Sequence, residues 1–298
     1  MSHGPELTAL LERVLRAPSH FYRQRLVSMG VVEGRAPSDD LLSRMPLTRR
    51  DELLRDQLDH LPHGTRRFAD AAPPVRAGTT GTGAAMLVLT WSAADLARER
   101  AAGARLLGRL GVRAGMGVAN TLRGALVTPG ALLLGDVVEE IGALDVPLGA
   151  IENDAAARQA WELVDRVKPA VMVVDQPSAR RLFTATPTAE RPWWQGIVVL
   201  NASEVKPQPI AVPDAAGFSG WQRAWLAVPE ATSFVAYACA AGRVHCDEGV
   251  IAEVVDETLV LTPLGVDAPV LRYDSGVRAS TFTASCSCGS PGVGIELR

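Results

Sequence analysis

The sequence predicts an α/β protein: a mostly parallel sheet with helices on both faces, followed by a small β-rich, barrel-like subdomain. Three observations lead there. Between residues 86 and 200, short β-type runs alternate with helical stretches, the order that builds a parallel sheet. Two of those runs, Ala170 to Val174 and Ile197 to Leu200, are almost continuously apolar, as strands covered on both faces must be. From about residue 225 the helical periodicity stops, and short β runs follow one another between Gly, Asp and Pro turns. The predicted organisation is a helical segment over 1–75 packed on the core, an α/β core over 76–224, and the β-rich subdomain over 225–298.

Each element has a local reason. Leu7, Leu10, Leu11, Val14 and Leu15 have the spacing of an amphipathic helix, and a second helix is expected over Ser19 to Met29. Thr48 is placed to cap a helix carrying Asp51 and Glu52 in its first turn. Met86 to Thr90 reads as a strand. Ser92, with Asp95 three residues on, caps a helix that Gly111 ends. Strands are expected at Val118 to Leu122 and Leu144 to Leu148, and helices at Pro129 to Ile141, Asp154 to Val167 and Ser178 to Phe183. In the last third, β runs are expected at Leu226 to Val228, Val250 to Val255, Thr258 to Thr262 and Val270 to Tyr273.

Bulk properties exclude several classes. The 298-residue chain is 47% hydrophobic and 21% charged, so it is globular. Its net charge of −3 argues against nucleic acid held on a basic surface. No long uncharged apolar window and no signal peptide are visible, which predicts no membrane partner and a cytoplasmic address. No G-x-S-x-G precedes a free His, against a serine hydrolase, and no G-x-G-x-x-G supports a Rossmann dehydrogenase.

The stretch Arg76-Ala77-Gly78-Thr79-Thr80-Gly81-Thr82-Gly83-Ala84 concentrates glycines and threonines. Glycine admits positive φ and close backbone approach, and threonine adds hydroxyls, so the stretch suits either a phosphate cradle or an ordinary hairpin turn. It is not a Walker loop, because no Lys follows the glycines. All four cysteines lie late, at 239, 246, 286 and 288, which in a cytosolic chain reads as metal binding before disulfide.

Together these segments resemble the phenylacetate–CoA ligase branch of the adenylate-forming ligase superfamily. The resemblance runs from about residue 10 to 298 and covers that family's large N-terminal domain without its small mobile domain. Ser19-His20-Phe21-Tyr22-Arg23 fits the family's S-x-F-Y-R, and Met45 to Leu53 fits its L-P-x-T-x-x-D-L. The family loop S-S-G-T-T-G-K-P keeps its G-T-T-G centre here, with Thr82 in place of Lys. The family's Y-G-L-S-E falls on Leu226 to Glu230, keeping only the Glu that the resemblance assigns to magnesium. Its ribose-holding Asp falls on Val277; Asp274, three residues earlier, substitutes only if the loop re-registers.

The resemblance implies ATP/Mg²⁺ contacts from Gly78, Thr79, Thr80, Gly81, Thr82, Glu230, Tyr273 and Asp274, with Glu230, Thr79 and Thr80 as the catalytic group. It implies an acid pocket at Asn201, Ala202, Ser203, Glu204, Trp225 and Val228. It also carries a C-x5-H and C-x-C-G pattern, met by Cys239, His245, Cys286 and Cys288, with Cys246 as the spare or an alternative ligand. Three thiolates and an imidazole make a closed structural Zn²⁺ site. Because the base platform, the ribose carboxylate and the mobile lysine are missing, the expected function is a diverged ligase core. It binds a small, preferably aromatic, carboxylic acid or its thioester or adenylate, and does not adenylate alone. The alternatives are an active acyl-adenylate domain completed by a separate C-terminal domain or carrier protein, and a non-catalytic scaffold. A homodimer is a further expected partner.

Overall fold

A computed structural model describes residues 4–34, 41–81, 83–124, 130–201, 210–281, 285–290 and 294–298. The chain opens with helices α1 (Gly4–Arg16), α2 (Arg23–Ser28), α3 (Leu41–Arg44) and α4 (Arg50–Asp59). A hairpin follows, β1 (Arg76–Thr80) and β2 (Leu87–Trp91). Next come α5 (Ala93–Leu110), β3 (Gly117–Asn120), α6 (Ala131–Ile141), β4 (Leu144–Pro147) and α7 (Asp154–Val167). Then β5 (Val171–Asp175), α8 (Gln176–Thr184), β6 (Gly196–Asn201) and β7 (Trp221–Val228) lead to the late strands. These are β8 (Thr232–Ala238), β9 (Val244–Cys246), β10 (Val250–Val255), β11 (Thr258–Pro263), β12 (Tyr273–Thr281) and β13 (Gly294–Leu297).

Among the described residues one sheet has eleven strands, in the order β10-β11-β12-β13-β9-β8-β7-β6-β5-β3-β4, and β1 and β2 pair separately. From β4 to β7 every pairing is parallel; from β7 to β10 every pairing is antiparallel. The predicted boundary at 224/225 falls inside β7, which is bonded to β6 on one side and β8 on the other.

Alternation along the parallel strands sends side chains to two cores. Val171, Val173 and Val198 meet α5 and α6 through Leu107, Leu134 and Val138. Met172, Val174, Ile197 and Val199 meet α7 and α8 through Trp161, Val164 and Phe183. Ser92 and Asp95 form the expected reciprocal cap on α5, and Gly111 closes that helix at φ 107°. The early helices pack not on the parallel strands but on the antiparallel side, where Leu10, Val14 and Leu26 share a core with Leu264 and Leu271.

Three expectations change. Thr48 does not cap α4; Arg49 holds the N-cap position, and the Thr48 hydroxyl donates to the Leu271 carbonyl at 2.7 Å. Residues 76–80 are a strand rather than a loop, paired from Arg76↔Trp91 to Thr80↔Leu87, with the turn beyond Thr80. The run expected at Val270 to Tyr273 begins only at Tyr273 and continues to Thr281, past Gly276. Its turn-like composition hid a strand that long-range pairing with β11 and β13 imposes.

Candidate functional site

Between the hairpin turn and the end of β7 lies an open cleft of about 650 Å³. Thr80, Gly81, Val228, Glu230, Tyr273 and Asp274 all line it. One residue that the sequence did not single out joins these walls. The Arg50 guanidinium, from the first turn of α4, donates through Nε to Glu230 Oε1 at 3.1 Å. It also donates through Nη2 to the Thr80 carbonyl and through Nη1 to the Ala85 carbonyl, both at 2.8 Å. The Thr80 hydroxyl donates to the same Glu230 oxygen at 3.1 Å.

This geometry explains Gly81. Its φ is 78°, and a Cβ there would lie 2.5 Å from the Ala85 carbonyl oxygen and 2.6 Å from Arg50 Nη2. Only glycine lets the turn close on the arginine. The Asp274 N–H donates to the Thr48 carbonyl at 2.9 Å, which couples the early helical segment to the cleft wall. Tyr273 is buried, and burial pushes its phenol pKa up, so the ring is neutral.

Other predicted residues lie elsewhere. Gly78 and Thr79 are mid-strand in β1, opposite Leu89 and Val88. Trp225 is a core residue rather than a pocket wall: it is fully buried, stacks on Phe234 at 4.7 Å, and donates its indole N–H to the Ser233 carbonyl. Leu226, on the opposite face of β7, is 2% exposed in the core of the antiparallel half. Asn201 ends β6, buried, in register with Leu226. Thr82, Ala202, Ser203 and Glu204 fall outside the described residues.

The late cysteines converge. The ligand atoms of Cys239, His245, Cys286 and Cys288 all lie within 4.8 Å of one another, a cluster able to hold a metal ion. Cys239 Sγ and Cys286 Sγ are 3.7 Å apart, and Cys288 Sγ is 3.3 Å from His245 Nε2. The spare thiol is not part of it. Cys246 follows His245 on β9 and so points to the other face, where burial pushes its pKa up to about 12. The cluster joins the β8–β9 turn to residues 286–288; beside it the Tyr237 hydroxyl meets Ser290 Oγ at 2.8 Å.

The fold has known counterparts. An open conformation of 2-hydroxyisobutyryl-CoA ligase, in complex with 2-HIB-AMP and CoA, is similar with TM-score 0.82 and 18% identity, over 98% of this chain and 72% of that one. The same ligase in its postadenylation state with 2-HIB-AMP gives TM-score 0.82 over 97% of this chain and 64% of that one. In the thioesterification state it gives 0.81 at 19% identity, over 97% and 65%. This chain therefore has the fold of the large N-terminal domain of an adenylate-forming CoA ligase and spans 64 to 72% of those chains. No family model and no curated protein matches the sequence. Among the described residues no helix is long and apolar enough to cross a membrane.

Proposed function

We propose that the chain is a diverged core of the adenylate-forming ligase type, of the phenylacetate–CoA ligase branch. It holds a small carboxylic acid or its activated ester and does not form an adenylate alone. One observation carries this reading: Arg50 is bonded at once to Glu230 and to two carbonyls of the hairpin turn. A magnesium ion needs near-octahedral oxygen ligands at about 2.0–2.1 Å. Here its expected carboxylate already neutralises a permanent cation, which would repel a second one. Leu226, at the position of the family's purine platform, is turned into the core, which supports the same reading.

The cysteine cluster fits a structural zinc. A tetrahedral ion with Zn–S of about 2.3 Å and Zn–N of about 2.0–2.1 Å separates two thiolates by roughly 3.8 Å and a thiolate from an imidazole nitrogen by roughly 3.5 Å. The distances of 3.7 Å and 3.3 Å agree. With all four donors from the protein, such an ion would fix loops and leave no open position for chemistry.

A second reading, an active acyl-adenylate domain completed by a separate C-terminal domain, is favoured by the fold's counterparts in complex with 2-HIB-AMP and CoA. Calorimetric titration with Mg-ATP separates the two. The first reading expects no saturable binding, and no pyrophosphate release across a panel of aryl and short-chain acids. Saturable Mg-ATP binding with pyrophosphate release would replace it by the second.

A further inference from the structure

A second space lies on the other side of Glu230 from the cleft. It is a cavity of about 100 Å³ between β2, α5, the start of β8 and the segment after β11. Arg66 forms part of its wall and is 3% exposed. Among the described residues its guanidinium makes one hydrogen bond, a long one of 3.5 Å from Nη1 to the Ala268 carbonyl, and its Nε has no partner. Among the described residues no carboxylate lies within 4.0 Å of it; Asp56 and Glu230 act on it only from farther away. Burial pushes the Arg66 pKa down, as expected of a cation without a contact partner.

Its neighbours differ. Arg98 has Asp95 at 2.5 Å, and Arg50 has Glu230 at 3.1 Å. The carboxylates in the cavity wall are each bonded elsewhere: Glu99 accepts from the Thr232 hydroxyl at 3.0 Å and the Ser233 N–H at 3.2 Å, Asp95 from Arg98 and the Asp267 N–H, Glu230 from Arg50 and Thr80, and Asp247 from Arg105. A buried charge is costly unless paired. Here the missing counter-charge has a space to occupy, lined besides by Leu89, Trp91, Ala102 and Leu264.

We propose that this cavity seats a small aliphatic carboxylate, its charge received by the Arg66 guanidinium and its carbon chain lying against the apolar wall. The proposal rests on the reading of an acid-binding core and narrows the acid. An apolar cavity of about 150 Å³ is known to admit benzene. A space of about 100 Å³ is smaller than that, which favours acids of about two to four carbons over an aryl acid. Guanidinium matches a carboxylate's two oxygens with two parallel N–H groups, which selects carboxylate over a neutral ligand.

The test uses the full chain with acetate, propionate, 2-methylpropanoate, benzoate and phenylacetate, read by calorimetry and thermal shift. The short acids are expected to bind and the aryl acids not to. Arg66→Met should weaken short-acid binding about 10- to 100-fold, the loss of a charged hydrogen-bonded pair. Ala102→Leu, which keeps the arginine but fills the space, should weaken it comparably. Without ligand, Arg66→Met should melt no lower than the parent, because it removes an unpaired charge. Aryl acids binding in place of short ones, unaffected by either variant, would overturn the cavity assignment while leaving the acid-binding core intact. Binding of no carboxylate would overturn both. A large drop in ligand-free melting temperature for Arg66→Met would make the arginine a structural residue and overturn the assignment.

Discussion

From β4 to β7 the sheet is parallel, and β5 and β6 are buried along almost their whole length, with helices on each face. From β8 to β10 it is antiparallel, and two of its inner strands, β9 and β13, have only three and four residues. The first half is ordered by apolar area, at roughly 25 cal/mol per Å² buried. The second also buries apolar side chains, among them Leu226, Val235, Leu259 and Ile295, and in addition carries the Cys239–His245–Cys286–Cys288 cluster beside its shortest strands. A sheet continuous in hydrogen bonds is thus held in two ways, and each can be attacked separately.

The largest effect is expected from metal. In closed Cys/His sites the binding free energy, on the order of 10 kcal/mol, is folding free energy. Stripping with a chelator, or Cys286→Ser with Cys288→Ser, should cost amide protection in β8, β9 and β13 while β3, β5 and β6 stay protected. Hydrogen exchange by mass spectrometry checks this; loss of protection throughout would erase the contrast.

Next comes the joint between the halves. Trp225 on β7 is stacked on Phe234 of β8 with rings 3° from parallel. Trp225→Ala should cost about 3–5 kcal/mol in chemical denaturation and destabilise both halves together. A smaller loss confined to one half would move the joint elsewhere.

Glu99, on α5 and bonded to the start of β8, makes the contact pH-sensitive. Burial pushes its pKa from 4.5 to about 7, against the hydrogen bonds from Thr232 and Ser233 that pull it down. The folded state therefore binds more protons between those values, and stability falls as pH rises through that window, by about 3 kcal/mol in all. Glu99→Gln should flatten that decline between pH 5 and 8 in urea titrations. His20 works in the opposite sense. Burial lowers its pKa from 6.5 to about 4, so its contribution is present above 6.5 and is lost as pH falls through 4.

The smallest effect is local. Ser92 caps α5 and also donates to Asp267 at 2.8 Å, in the segment after β11. Ser92→Ala should cost about 1 kcal/mol, read as a shift in denaturation midpoint.

Much of this was legible beforehand, for local reasons. The Ser92–Asp95 cap, the glycines at 111 and 142, and the unbroken apolar runs around Met172 and Val198 report conformation through their own chemistry. The late clustering of the four cysteines was legible from their scarcity, and the set of three of them with His245 from the family pattern that the sequence resembles. The strands β12, beyond Tyr273, and β13 were not, because their pairing partners do more than their own residues to make them strands. Trp225 and Val228 were assigned together to one pocket; the pleat of β7 sends Trp225 into one core while Val228 reaches the cleft.

By itself the sequence determined the α/β order, the Ser92 and Gly111 ends of α5 and the clustering of the cysteines, since each follows from neighbours a few residues apart or from scarce residue types. Only the tertiary structure decided which of its many arginines matter. Arg50 and Arg66 belong to the same arginine-rich early segment, yet one is bonded to Glu230 and the other lines a cavity with, among the described residues, no carboxylate within 4.0 Å of its guanidinium. A charge's role depends on what lies within a few ångströms of it in space, and the order of residues along the chain does not contain that distance.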